Sequence, residues 1–209
     1  HVDAALAGSA IICDEYKYLW QGIGKADSIV FNPHKWLGAQ FDCSVHFLKD
    51  MNVQKNTLSL TPEYLKTSGV EGITNLSDYT IPLGRRFRAL KLWFLIRSEG
   101  LSGIRKLIRD HINWSEELFH KIKLLKNIEV ITQPVLVLFT FRFINQNSEN
   151  INEFNEKIVK EINDEGLIYL TPTKVGEKFV IRFMAGTLEM EENDIEVAYE
   201  CIKEKSERT

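Results

Sequence analysis

Along this chain, some segments have the apolar spacing of β-strands and others that of helices, and these predicted elements fall into two groups. Three short apolar runs bounded by turn residues predict β-strands, at residues 2–5, 28–31 and 43–48. Residues 9–20 have the apolar spacing of a helix or helical turn. Only a short turn through Gly38 separates the second strand from the third, which favours an antiparallel pair.

Residues 50–80 form a long polar stretch without sustained periodicity, which predicts a loop that is functional or mobile. Residues 85–97 then have helical spacing, and Ser98-Glu99-Gly100 ends that pattern. The helix is expected to turn a set of large apolar side chains inward: Phe87, Leu90, Trp93, Phe94 and Ile96.

The second group of elements has the order αββαββα. Helices are predicted at 101–126, 151–164 (closed by Gly166) and 193–205, and strands at 128–132, 135–143, 167–170 and 178–184. This order predicts a small antiparallel sheet covered by helices on one face, which is an α+β unit. The sequence therefore divides into an α/β part, residues 1–90, and an α+β domain, residues 91–209.

Composition narrows the classes of protein to consider. With 209 residues, 44% hydrophobic and 26% charged, the chain is an ordinary globular sequence, and its net charge of −3 gives no reason to expect nucleic acid or a membrane surface as partner. No apolar run approaches the roughly 20 residues of a membrane span. Three unclustered cysteines argue against a disulfide framework or a zinc site and suit a reducing cytoplasm. Because the chain opens on His1 inside what reads as the end of a strand, we expect the C-terminal part of a longer polypeptide.

The candidate chemistry lies at the ends of the first two strands. If Asp3 ends one strand and Lys35 follows the next, both side chains gather at the carboxyl edge of one sheet. A carboxylate there keeps the pyridine nitrogen of pyridoxal phosphate (PLP) protonated, and a nearby lysine forms a Schiff base with its aldehyde. Ala5 is small enough for a ring to lie against it, and His34 and Asn32 offer polar contacts. Singly, such an aspartate is more often a turn cap and such a lysine a solvated loop residue.

A family resemblance favours the catalytic interpretation of Asp3 and Lys35. The segments His1-Val2-Asp3-Ala4-Ala5, Asn32-Pro33-His34-Lys35-Trp36 and Phe41-Asp42-Cys43-Ser44 resemble the PLP-dependent group II amino-acid decarboxylases, in particular the aromatic-L-amino-acid decarboxylases. Residues 81–91, 179–184 and 193–201 extend the resemblance over nearly the whole chain. Glutamate decarboxylases share the Asn-Pro-His-Lys core but usually lack the tryptophan and the Phe-Asp-Cys-Ser segment.

The resemblance implies a fold and a set of roles. The fold would be the C-terminal portion of a PLP fold type I large domain, with a mixed sheet, followed by a small α+β domain with an antiparallel sheet. Lys35 would carry the cofactor as a Schiff base, and Asp3 would partner the pyridine nitrogen. Ala5 would lie against the ring face, Asn32 would contact the phosphate, and His34 would line the site beside the lysine.

The resemblance also implies a reaction. Tyr64 matches a loop tyrosine that protonates the carbanion left by carbon dioxide, whereas phenylalanine there marks relatives that oxidise the substrate to an aldehyde. Leu83 and Gly84 match a substrate pocket across a dimer interface, where glycine leaves room for a large ring.

The implied enzyme is a cytoplasmic homodimer that decarboxylates an aromatic L-amino acid to its amine. Three alternatives stay open: a decarboxylase of a non-aromatic amino acid, an aldehyde synthase, and a non-catalytic fragment or pseudoenzyme. We expect the 209 residues alone to be inactive, because the other ring face and most of the phosphate cradle are expected from upstream residues.

Overall fold

The computed structural model describes residues 1–60 and 74–208. The chain forms two compact units, His1–Gly100 and Leu101–Thr209, which are described separately below. The division into domains at residue 90 that the sequence favours stays a prediction. Within the described residues, no helix is both long enough and apolar enough to cross a bilayer.

The first unit contains a mixed three-stranded sheet in the order β1-β2-β3. Its strands are β1, Val2–Asp3; β2, Ser28–Phe31; and β3, Val45–Leu48. Strand β1 runs parallel to β2, with Asp3 beside Val30, and β3 runs antiparallel to β2, as the short turn between them predicts. Because β1 and β2 are parallel, their carboxyl ends meet at one edge of the sheet.

The helical stretch predicted at residues 9–20 is present as two 3-10 helices, Ala7–Ile12 and Asp14–Trp20, divided at the extended residue Cys13. The first lies close against β2. A Cβ atom on Gly8 would lie 2.4 Å from Cβ of Phe31, far inside van der Waals contact. Glycine at this position therefore permits the close approach between this helix and β2.

The prediction of an unstructured loop over residues 50–80 is wrong at both of its ends. Helix α1, Met51–Leu58, follows Asp50, whose side chain accepts a hydrogen bond from the N–H of Asn52 at 2.9 Å. A 3-10 helix, Leu76–Tyr79, follows the capping residue Asn75. No residue of α1 is buried, so its sequence lacks the regular spacing of apolar residues by which helices are recognised. The capping residue Asp50 was the local feature that indicated a helix.

Helix α2, Arg88–Ile122, continues through the predicted stop, but Gly100 interrupts its helical geometry with φ 66° and ψ 167°. The inward face expected for its first half is wrong. Phe87 is 74% exposed, Trp93 is 55% exposed and Phe94 is 58% exposed, and Leu90 and Ile96 are exposed as well. Helical spacing identifies a common face, but it does not supply a surface to cover that face, and the described part of this chain does not cover it.

The second unit has the predicted αββαββα order. After α2 come β4, Ile128–Val135; β5, Leu138–Phe143; α3, Ile151–Glu165; β6, Thr171–Val175; β7, Lys178–Met184; and α4, Glu192–Glu207. The four strands form an antiparallel sheet in the order β4-β5-β7-β6. Gly166 closes α3 in the left-handed conformation, φ 75°, as the sequence predicts.

Two strand boundaries differ from the prediction. The turn between β4 and β5 lies at Leu136 and Val137, so Pro134 belongs to edge strand β4, where the pairing register shifts. The strand predicted at residues 167–170 begins instead at Thr171. The side chain of Asn163 accepts a hydrogen bond from the N–H of Leu170 and donates one to the carbonyl of Leu170. These two bonds take the place of strand pairing at Leu170.

Candidate active site

The ends of β1 and β2 lie side by side at one edge of the first sheet. Beyond the β1 pairing, the N–H of Asn32 donates to the carbonyl of Ala5 at 2.9 Å. Asp3 is exposed at this edge, and its Oδ1 accepts a hydrogen bond from the N–H of Ala5 at 3.0 Å. The structure thus places Asp3, Ala5 and Asn32 on neighbouring segments, and it also shows the turn-capping bond that such an aspartate commonly makes.

Lys35 lies in the turn that follows β2. Its N–H donates to the carbonyl of Asn32 at 2.9 Å, and its own carbonyl accepts from Gly38 at 3.2 Å. The lysine side chain is exposed, whereas the next residue, Trp36, is completely buried. A buried anchor beside an exposed amine gives the amine a fixed backbone and an open approach, which a nucleophilic lysine requires.

His34 is held by the backbone of Cys43. The N–H of Cys43 lies 3.0 Å from Nδ1 of His34, and the carbonyl of Cys43 lies 2.7 Å from the same nitrogen and accepts the N–H of His34 at 3.2 Å. The ring of Phe41 stands edge-on to the imidazole with centroids 4.8 Å apart. These contacts orient the imidazole through Nδ1 and leave Nε2 as the nitrogen that faces away from Cys43.

Asn32 is oriented by Ser44, a residue given no role in the sequence-based prediction. The hydroxyl of Ser44 donates to Oδ1 of Asn32 at 2.5 Å, so the amide group of Asn32 is the end that can donate to an anion. The only available signal was the Phe-Asp-Cys-Ser segment, where Ser44 contributed to the resemblance.

Charged residues from α2 bind the chain just before Cys43. Nε of Arg88 donates to Oδ2 of Asp42 at 2.8 Å, and this bond is the main reason that the pKa of Asp42 is lowered. Nζ of Lys91 donates to the carbonyl of Gln40 at 3.0 Å. Burial raises the pKa of the Cys43 thiol, which keeps the thiol protonated and unreactive.

Three predicted residues remain: Tyr64, Leu83 and Gly84. Tyr64 lies outside the described residues. Leu83 and Gly84 are exposed in the segment after the 3-10 helix Leu76–Tyr79, and a Cβ on Gly84 would meet no described atom within 4 Å. Open space at Gly84 is compatible with a large substrate ring, and the pocket role of both residues stays a prediction.

The donor set at the β1–β2 edge fits pyridoxal phosphate by its chemistry. It combines one exposed amine, one carboxylate, one small side chain and two oriented polar side chains. Among residues 1–60 and 74–208, no group of three or more His, Cys, Asp or Glu side chains is arranged to hold a metal ion. Residues 3, 5, 32, 34 and 35 follow the ends of β1 and β2, and their joint role in one site stays a prediction.

Comparison with known proteins identifies a family. The sequence of the family described as the pyridoxal-dependent decarboxylase conserved domain matches residues 1–144 of this chain. Mouse aromatic-L-amino-acid decarboxylase is 39% identical over 206 residues, a match that covers 98% of this chain and 42% of that protein. The chain thus spans less than half of the length of this relative.

Solved structures agree in fold. The crystal structure of Oryza sativa TDC with PLP and tryptamine superimposes with a TM-score of 0.93 and 33% identity, over 100% of this chain and 44% of the other. The crystal structure of Rhodiola rosea 4-hydroxyphenylacetaldehyde synthase superimposes with a TM-score of 0.88 and 27% identity, over 100% of this chain and 43% of the other.

Proposed function

The chain belongs to the pyridoxal-dependent decarboxylase family, and we propose that it forms part of an enzyme that decarboxylates an aromatic L-amino acid to its amine and carbon dioxide. One observation supports this most strongly. Asp3 ends β1, Lys35 lies in the turn that follows the adjacent parallel strand β2, and the backbones of Ala5 and Asn32 are hydrogen-bonded between them.

Pyridoxal phosphate, when bound, supplies an electron sink for the electron pair of the broken Cα–carboxylate bond. Lys35 would hold its aldehyde as a Schiff base, and the carboxylate of Asp3 would keep a proton on the ring nitrogen. Ala5 would lie against the ring face. Asn32, oriented by Ser44, would donate to the phosphate, and His34, oriented by Cys43, would line the site beside the lysine.

Tyr64 would return the proton that replaces the carboxylate at Cα. A phenol held close to that carbon acts as a general acid, which contributes about 10²- to 10⁴-fold to a rate. The same side chain would also exclude water from the site.

The substrate side chain would be a large aromatic ring. Gly84 leaves space where any other residue would project a side chain, and Leu83 beside it offers an apolar surface. The relatives fit this choice, since the mouse relative is an aromatic-L-amino-acid decarboxylase and the rice structure contains tryptamine. A homodimer would bring Leu83 and Gly84 to the site of the neighbouring subunit.

An aldehyde synthase is the second candidate, because a protein of that name is among the structural relatives. Tyr64 favours plain decarboxylation over this alternative. The two reactions are separated by their products, since only the synthase releases an aldehyde and hydrogen peroxide.

The decisive experiment uses the full-length protein and compares wild type with Lys35→Ala and with the control Lys49→Ala, an exposed lysine after β3. Wild type and the control should show the visible absorbance of a Schiff base and release amine from tryptophan, dihydroxyphenylalanine, tyrosine or phenylalanine. Lys35→Ala should lose both properties. A wild-type protein that binds no pyridoxal phosphate, or amine release from glutamate alone, would contradict the proposal.

A further inference from the structure

Three contacts join the first turn of α2 to the segment before β3. Arg88 binds Asp42 through Nε and Oδ2 at 2.8 Å, Lys91 binds the carbonyl of Gln40 at 3.0 Å, and Sγ of Cys43 lies 3.8 Å from the carbonyl of Arg88. All of these residues belong to the first compact unit. The partners are 45 to 51 positions apart in sequence, so the contacts fix the path of the segment through the fold rather than its local geometry.

Asp42 is linked to the turn that carries Lys35 through its neighbour Cys43. The N–H and the carbonyl of Cys43, the next residue, lie 3.0 Å and 2.7 Å from Nδ1 of His34, and the same carbonyl accepts the backbone N–H of His34 at 3.2 Å. Lys35 follows His34 directly. A displacement of Asp42 therefore moves the Cys43 peptide, and through it both the imidazole of His34 and the backbone that carries Lys35.

We infer that Arg88 is a positioning residue for the active site: through Asp42 and the Cys43 backbone, it holds His34 and the Lys35 turn in place. The inference deepens the proposed function, and it rests on that function only for its effect on cofactor binding. Its effect on the geometry of His34 concerns the protein without cofactor.

The Arg88–Asp42 ion pair is expected to affect the geometry of the site more than the stability of the fold. Side-chain exposures of 33% for Arg88 and 35% for Asp42 leave the ion pair partly screened by water, and such pairs contribute little to global stability. Orientation is more sensitive, because a misplacement of about 1 Å at a reacting group can reduce a rate by about 10²-fold. Loss of the pair should therefore disturb the site more than it disturbs folding.

The test uses the full-length protein with Arg88→Met, Asp42→Asn and the double variant. Arg97→Met is the matched control, because Arg97 lies on the same helix and its guanidinium lies over Trp93, 5.9 Å from the ring centroid. In the protein without cofactor, the measurements are the exchange rate of the Cys43 amide hydrogen, the ¹⁵N shifts of the His34 ring and the melting temperature. In the protein with cofactor, they are the dissociation constant of pyridoxal phosphate and the pH midpoint of its visible band.

We expect Arg88→Met and Asp42→Asn to increase Cys43 exchange about tenfold, to shift the His34 ring nitrogens, and to weaken cofactor binding by about tenfold. The double variant should show no further loss, since both changes break one interaction. Arg97→Met should resemble wild type in every measurement, and all melting temperatures should stay close together.

Three results would overturn the inference. The first is unchanged Cys43 exchange and His34 shifts in Arg88→Met. The second is additive effects of the two single changes, because independent effects exclude a shared interaction. The third is faster exchange throughout the first unit with a lowered melting temperature, which would show a general structural role. If wild type binds no pyridoxal phosphate, the proposed function fails, and the measurements without cofactor still decide the role of Arg88.

Discussion

The hydroxyl of Ser44 donates a hydrogen bond of 2.5 Å to Oδ1 of Asn32, which joins the end of β2 to the start of β3. Because Oδ1 of Asn32 is occupied by this bond, the side-chain NH₂ group is the end that can donate to a phosphate oxygen. A residue twelve positions downstream thus orients a predicted cofactor contact.

Ser44→Ala should consequently weaken the binding of pyridoxal phosphate by the full-length protein roughly fivefold, which corresponds to about 1 kcal/mol for one hydrogen bond. Titration of the apoprotein with cofactor measures this change. Ser102→Ala, an exposed serine on α2, is the control and should bind as wild type does. Equal affinities of Ser44→Ala and wild type would show that Asn32 needs no orientation.

Tyr64→Phe should reduce amine formation by about 10²- to 10⁴-fold, because phenylalanine cannot donate the proton to Cα. In air, dissolved oxygen should instead oxidise part of the substrate, and aldehyde and hydrogen peroxide should increase. Product analysis by chromatography with a peroxide assay checks this result. Tyr79→Phe serves as the control outside the proposed proton path. Unchanged products would place the proton donor at another residue.

Gly8→Ala should destabilise the protein by about 1–3 kcal/mol in the free energy of unfolding, since its Cβ would lie 2.4 Å from Cβ of Phe31 at the end of β2. Denaturant unfolding measures the difference. Gly24→Ala is the matched control, because a Cβ there meets no described atom within 4 Å. Equal destabilisation by the two changes would show that the contact with Phe31 is unimportant.

Burial lowers the pKa of His111 below the ordinary histidine value of 6.5. The unfolded chain therefore takes up a proton near pH 6.5 while the folded protein still excludes it, so stability should fall as the pH decreases below about 6.5. His111→Met removes this group and should flatten the dependence of the unfolding free energy on pH in that window. His120→Gln, an exposed histidine, should retain the wild-type dependence, and a wild-type slope in His111→Met would contradict the assignment.

Local signals in the sequence were sufficient for much of the fold. The strands Ser28–Phe31 and Lys178–Met184 have the predicted bounds, and Gly166 closes α3, because β-branched runs and a glycine stop act within a few residues. The predicted fold class is confirmed, and so is the resemblance to the pyridoxal-dependent decarboxylases. Errors arose where a cap alone begins a helix, as at Asp50, and where a periodic apolar face meets no surface, as at Phe87 to Ile96.

The sequence by itself determined which residues are candidates for chemistry, because Asp3, Lys35 and their neighbours stand in short segments that follow strand ends. Only the tertiary structure decided what orients them. Arg88 meets Asp42 across 46 positions, and Ser44 meets Asn32 across 12. Periodicity reports on which face a residue occupies, whereas a pairing between distant residues depends on the path of the chain between them, and that path exists only once the core has packed.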